Sequence, residues 1–314
     1  MDIFSYCIQI INKTKQNKTM TNARIVLGST TEWGSKIRTY ELTYPRFIHS
    51  ELMTHRVFSR NAASSRAIPV RKMLDSLAPS IFDLFERFGT NQSGMQPTER
   101  QVSSSGQSTL DDLYSDMLDT SKDSVLNMIE ETNVAKQVAN RFIEPFMHMT
   151  TIVTATEMNN FFYQRCDSNA QEEFQSLAYK MLEAELNYDY SQHILNHSQW
   201  HLPFVTEQEK KEMSIDQQKI ISVARCASVS YVKHNEERSF DELAAVYNRM
   251  LNGGHWSPFE HPATPMIKSA KDNFSGNFRG WYQLRKDFMK ENKEQTMTRE
   301  DLEKILQSKP SWVK

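Results

Sequence analysis

Residues 45–69, PRFIHSELMTHRVFSRNAASSRAIP, decide the reading of this chain. They set Arg46, Arg56, Arg60, Arg66, His49 and His55 against a single acid, Glu51. Ser59, Ser64, Ser65 and Asn61 lie among small alanines. Guanidiniums grip oxyanions through paired N–H donors. Serine hydroxyls and exposed backbone N–H groups supply further donors, and alanines let a ligand approach the backbone. The chemistry suits a monophosphate. A solvated basic loop is the plainer reading of the same residues.

Upstream, residues 23–44 predict β structure. Arg38, Tyr40, Leu42 and Tyr44 alternate with Ile37, Thr39, Glu41 and Thr43, and Pro45 ends the ladder. Phe47, Ile48, Glu51, Leu52 and His55 then fall at helical spacing, so a helix is expected to end at His55 and Arg56, with a basic loop running on to Pro69. Residues 76–107 predict a long loop, either a substrate lid or a passive excursion. A helix is expected over 109–131, with Ser108 or Thr109 as cap and Leu110, Leu113, Tyr114, Met117, Leu118, Val125, Met128 and Ile129 as its apolar stripe. A second helix from Asn133 to about Glu144 carries Arg141. Residues 150–165 fit a strand or a buried helix, and 168–187 a helix capped by Asp167. Ser239 and Glu242 form a capping box for a helix over 239–252.

The bulk numbers narrow the classes. The 314 residues carry a formal charge of −2, so the basic cluster is a local site, not a field for nucleic acid, and no specific nucleic-acid partner is expected. The three cysteines, Cys7, Cys166 and Cys226, have neither metal spacing nor an even count, so no metal is expected and a cytoplasmic location fits. No apolar run approaches the ~20 residues of a membrane span. Glycine-rich phosphate loops are absent, which removes support for a doubly wound nucleotide fold. Residues 1–19 read as an N-terminal extension, 20–289 as one catalytic domain and 290–314 as a peripheral helix and tail.

Three stretches resemble one family, the flavin-dependent thymidylate synthases. His55-Arg56, seven residues, then Ser64, with Asn61 and Ser64-x-Arg66, resembles the family's Arg-His-Arg…Ser signature, although Thr54 replaces the first arginine. NNFFYQRCDSNAQEEFQ, residues 159–175, resembles a stretch bearing asparagine and arginine before an Ala-Gln helix. Gly254-His-Trp-Ser-Pro-Phe-Glu-His261 resembles Gly-His-x-Thr/Ser-Pro-Phe-Glu-His, and the residues ending at Ser230-Tyr231 resemble Ala-Arg-Val-Ser-Phe. The last block usually precedes the first, so the resemblance implies a circularly permuted member, of a kind associated with bacteriophages.

The resemblance implies an α+β fold with mixed helices around an antiparallel sheet, and a homotetramer. It implies reductive methylation of dUMP to dTMP with FAD, methylenetetrahydrofolate and NADPH. Arg165 would meet the pyrimidine and help ionise N3. Glu51, Ser64, Ser65, Arg66 and Arg141 would hold the nucleotide. His55, Arg56, Asn160, Ser230, His255, Ser257 and Glu260 would hold the flavin, with His255 also near the folate. Glu51 stands where the family has glutamine, Ala62 where it has glutamate, and Arg60 is a candidate to replace the charge lost at Thr54. The family's Asn-x-Arg flavin contacts have no match in TATEMNN. Two alternatives remain: one-carbon transfer to another pyrimidine deoxynucleotide such as dCMP, and a noncatalytic nucleotide- or RNA-binding descendant.

Overall fold

A computed structural model describes residues 21–229, 238–288 and 298–310. The 1–19 extension, Ser230 and part of the expected tail lie outside the described residues.

The alternating segment folds as a hairpin of β1 (Asn22–Thr31) and β2 (Lys36–Pro45), antiparallel, with Gly34 at φ +84° in its turn. A side chain is strained there, which is why glycine closes this hairpin. β2 pairs in turn with β4 (His148–Ala155), so the segment open to two readings is a strand. β3 (Ser59–Ala62) adds to the outer edge of β4. β5 (Ile194–Leu195) joins β1 in parallel, giving the order β3-β4-β2-β1-β5. Part of the expected basic loop is therefore strand. Ser-Arg-Asn-Ala has no apolar alternation, and pairing with β4 holds it extended.

Both faces of the sheet are covered. On one, Tyr40, Leu42, Tyr44 and Val153 pack against Phe174, Leu177, Ala178 and Met181 of the long helix that follows β4. On the other, Ile37 meets Ala263, Phe278 and Trp281. These belong to β6 (Ala263–Pro265), β8 (Phe278–Arg279) and β9 (Trp281–Gln283), with β7 (Phe274–Ser275) paired to β8. Ser29 and Thr39 also face that side, bonding His201, which is fully buried. The fold is α+β.

The helices relevant to the site are α1 (His49–Met53), α2 (Ser104–Thr132), α3 (Asn159–Arg165), α4 (Glu172–Leu186), α5 (Ile215–Ala227) and α6 (Phe240–Asn252). α1 is shorter than expected: Thr54 caps it, so His55 and Arg56 lie just beyond its end. α2 begins earlier, capped by Ser103 accepting from the Gly106 N–H, and Leu113 and Met117 of the expected stripe are 55% and 56% exposed. The expected helix up to Glu144 breaks into short turns at Lys136–Ala139, Asn140–Phe142 and Glu144–Phe146. α4 is capped at Gln171 and not at Asp167, whose carboxylate instead accepts from the Asn169 N–H. The Ser239–Glu242 capping box is present. Of the expected tail, Arg299–Gln307 is an exposed helix. Among the described residues no helix is long and apolar enough to cross a membrane.

Candidate active site

The end of α1 and the end of α3 meet at Arg165. Its Nη1 donates to Glu51 Oε2 at 2.9 Å, its Nη2 to Thr54 Oγ1 at 3.2 Å and its Nε to His55 Nε2 at 2.9 Å. The guanidinium lies 4.9 Å from the centroid of Phe174. His55 is 9% exposed and ringed by Phe58, Phe161 and Phe174 at 5.6, 4.9 and 6.0 Å. Burial first, then the Arg165 and Arg60 charges, push its pKa down to about 4. A neutral ring can accept the Arg165 proton; an imidazolium cannot. Three of the five guanidinium N–H groups are thereby committed, and two remain for a ligand. Arg60, the candidate to replace the charge lost at Thr54, stands beside His55. Its Nη1 donates to the Leu52 and His55 carbonyls at 3.0 and 3.1 Å and holds this turn together.

Arg165 opens onto a cavity of about 490 Å3 whose far wall is the 76–107 loop, including Phe85, Arg87, Met95 and Gln96. Glu173 of α4 also lines it, 5% exposed, its carboxyl raised by burial. Cys166, beside Arg165, is a thiol raised by burial, so nothing holds it as a thiolate.

The Ser64–Ile68 turn is fixed by a residue the spacing does not reveal. Asn140 is fully buried and its Nδ2 donates to the carbonyls of Ser65 and Ile68 at 2.6 and 3.0 Å. Glu144 then takes up the groups expected to meet phosphate. It accepts from Ser65 Oγ at 2.5 Å and Arg141 Nη1 at 2.9 Å, and pairs with Arg46 at 3.0 Å. Despite burial, these partners keep its carboxyl below the usual range. Arg66 is exposed, and its Nε donates to Gln137 Oε1 at 3.3 Å.

A second and larger cleft, about 860 Å3, lies between β3 and α6. Ser64, His255 and Ser257 line it, with Asn61, whose Nδ2 donates to the Cys226 carbonyl of α5 at 2.9 Å. Glu260 is half-buried and ion-paired with Arg285. Asn160 and His55 border a third cavity, of about 730 Å3, on the far side of α3. Arg56 is exposed. Within one chain, the expected nucleotide residues thus divide between the Arg165 cavity, the Glu144 cluster and the α6 cleft. Of the expected flavin residues, His255 and Ser257 line the α6 cleft and His55 and Asn160 the third cavity, while Arg56 and Glu260 line neither. Among the described residues no group of three His, Cys, Asp or Glu is arranged for a metal.

Residues 10–186 match the family described as thymidylate synthase complementing protein. The chain belongs to that family. The matched span contains β1–β4, α1–α4, the Arg165 hub and the Asn140 turn, and ends before Gly254–His261. Among solved structures, one that is similar is the crystal structure of the UMP/dUMP methylase PolB from Streptomyces cacaoi bound with 5-Br UMP. It is 12% identical, with a TM-score of 0.41 over 54% of this chain and 89% of that one. No curated protein matches.

Several residues that build the site in this thymidylate synthase complementing chain carry no signal in spacing. Asn140 and Glu144 act through tertiary contacts. Phe58, Phe161 and Phe174 read as ordinary core yet cage His55. Arg238 and Arg249, at the two ends of α6, line the same cleft as His255 and Ser257.

Proposed function

We propose that the protein is a flavin-dependent methylase of a pyrimidine deoxynucleoside monophosphate, with dUMP as its preferred substrate. The observation that carries this is the Arg165 hub. A guanidinium fixed by Glu51, Thr54 and neutral His55 keeps two N–H groups for a ring on which negative charge develops. Arg165 binds and orients the pyrimidine edge and stabilises it as N3 loses its proton. Ser64, Ser65, Arg66 and Arg141 are assigned to the phosphate, with Asn140 positioning the first two.

The α6 cleft fits FAD in size and chemistry. Ligand cavities run roughly 300–1,000 Å3 and combine an apolar wall with a few polar groups. This one sets Ala62, Val246, Met250 and Pro258 beside Asn61, His255 and Ser257. When bound, the flavin supplies the redox chemistry, with NADPH as reductant and methylenetetrahydrofolate as carbon source. His255 and Ser257 contact it from the cleft; His55, Arg56, Asn160, Glu260 and Ser230 complete the expected set.

The division of expected residues among separate cavities supports a homotetramer in which neighbouring copies complete each site. The order of the three motif stretches along the chain supports a circularly permuted member. Residues 20–289 are assigned as one catalytic domain, and the location as cytoplasmic.

A second reading, transfer to dCMP, is favoured by the Glu51 carboxylate, which could accept from an exocyclic amine. Purified protein reconstituted with FAD and supplied with methylenetetrahydrofolate and NADPH should convert dUMP to dTMP. Product from dCMP alone selects the second reading. Failure to take up any flavin and to turn over any nucleotide leaves a noncatalytic binding protein.

A further inference from the structure

We infer that Arg238 and Arg249 form a phosphate-binding pair along α6, separate from the Ser64–Arg66 turn. This inference rests on the nucleotide-methylase reading and adds to it two residues outside every recognised motif.

Both guanidiniums line the 860 Å3 cleft, and among the described residues no aspartate or glutamate does. Arg238 immediately precedes the Ser239 cap and Arg249 lies in the last turn, so the two line the cleft from opposite ends of α6. Arg249 is exposed and makes no side-chain hydrogen bond or ion pair with another described residue. That contrasts with Arg38, Arg225 and Arg285, each tied to a carboxylate. Arg238 is half-buried and donates to Ser228 Oγ at 3.1 Å, which aligns it with the cleft wall.

Two guanidiniums on one cleft wall attract an anion. Guanidiniums with serine hydroxyls at hand favour phosphate oxygens, which they meet by charge-assisted bonds. The apolar wall of Val246, Met250 and Pro258 then fits a ring system attached to that phosphate. Two ligands share this chemistry, the pyrophosphate of a dinucleotide and the phosphate of a deoxynucleoside monophosphate.

The test is calorimetric titration of the purified full chain with riboflavin, FAD, ADP and dUMP in turn. Wild type is compared with Arg249→Ala, Arg238→Ala and Arg249→Lys. Loss of a charged hydrogen-bond partner should weaken FAD and ADP about tenfold or more and leave riboflavin, which has no phosphate, unchanged. Arg249→Lys should recover part of the loss, since it keeps charge without the planar fork. Thermal unfolding of each variant serves as the folding control. Weakened dUMP with intact FAD and ADP would keep the pair and assign it to the substrate. ADP binding that depends on Arg249, in a protein that takes up no flavin, would keep the pair and remove the flavin reading. Equal affinities in wild type and both alanine variants, or no binding of any of these ligands to wild type, would overturn it.

Discussion

Arg165 donates its Nε–H to Nε2 of His55 across 2.9 Å. The imidazole must be the acceptor, so its proton sits on Nδ1 and the ring is neutral. With a folded pKa of about 4 against an ordinary 6.5, this contact contributes fully above pH 6.5. It is lost as pH falls from 6.5 through 4, because the unfolded ring binds a proton first. Nitrogen-15 NMR at pH 6 should therefore find His55 neutral with Nε2 unprotonated. An imidazolium at that pH would refute the assignment.

Arg165 itself should act on turnover. A cation that meets charge developing in the transition state affects kcat more than KM. Arg165→Ala should lower kcat ~10²-fold or more, by analogy with removal of an oxyanion donor. His55→Gln should lower kcat less, because it leaves Arg165 itself in place and removes a group that orients it. Steady-state kinetics with dUMP would expose the error if Arg165→Ala altered KM alone.

Asn140 should be worth more than a surface amide. Removing its side chain leaves the Ser65 and Ile68 carbonyls without their donor, which costs about 1–3 kcal/mol per buried group. Asn140→Ala should shift urea unfolding accordingly and weaken nucleotide binding, since the Ser64–Ile68 turn loses its anchor. Asn140→Asp should be worse than Asn140→Ala, because a carboxylate would face two carbonyls. Equal stability of the two would mean that the amide donors do not hold the turn.

What was legible in the sequence is mostly what depends on neighbours along the chain. The alternation from Ile37 to Tyr44 identified β2, Pro45 marked its end, and Ser239 with Glu242 announced α6. The Arg165 hub was legible as residue types but not as an arrangement. Nothing local says that Glu51 turns to Arg165, or that Glu144 gathers Ser65, Arg46 and Arg141. β3 was missed because its order comes from β4, about ninety residues later, as the pairing of Ser59 with Thr154 requires. Asp167 was read as a helix cap because it is the right residue type, yet its carboxylate is used one turn early.

The buried polar seam behind the sheet predicts acid sensitivity. Thr154 Oγ1 lies 2.6 Å from Thr39 Oγ1 and 2.8 Å from His261 Nδ1, while Thr39 also meets His201 Nε2 at 2.9 Å. Burial pushes His261 down to about 3 and His201 well below 6.5. Both pKa values are lowered by folding, so their contribution is complete above pH 6.5 and is lost as pH falls toward 3. Urea midpoints should be flat from pH 7 to 8 and decline below 6.5. His261→Asn should be less stable at pH 7 and show a shallower decline. A decline of unchanged slope in both His201→Asn and His261→Asn would assign the acid sensitivity elsewhere.

Selection of the base should lie with Glu51. Its Oε2 is held on Arg165 Nη1, so a ring entering beside the pair would meet an acceptor and a donor side by side. Uracil offers N3–H and a carbonyl, and cytosine an amine and unprotonated N3, so both match that pattern. Charge separates them. Uracil must shed its N3 proton and develop negative charge, which a neighbouring carboxylate opposes and an undiluted guanidinium favours. Cytosine instead gains from a carboxylate that accepts its amine. Glu51→Gln should therefore raise kcat/KM for dUMP relative to dCMP, while Glu51→Ala should also loosen Arg165 and lower both. The measurement is the ratio of the two kcat/KM values under identical flavin, folate and reductant. A ratio unchanged in Glu51→Gln would mean that this acid only orients Arg165.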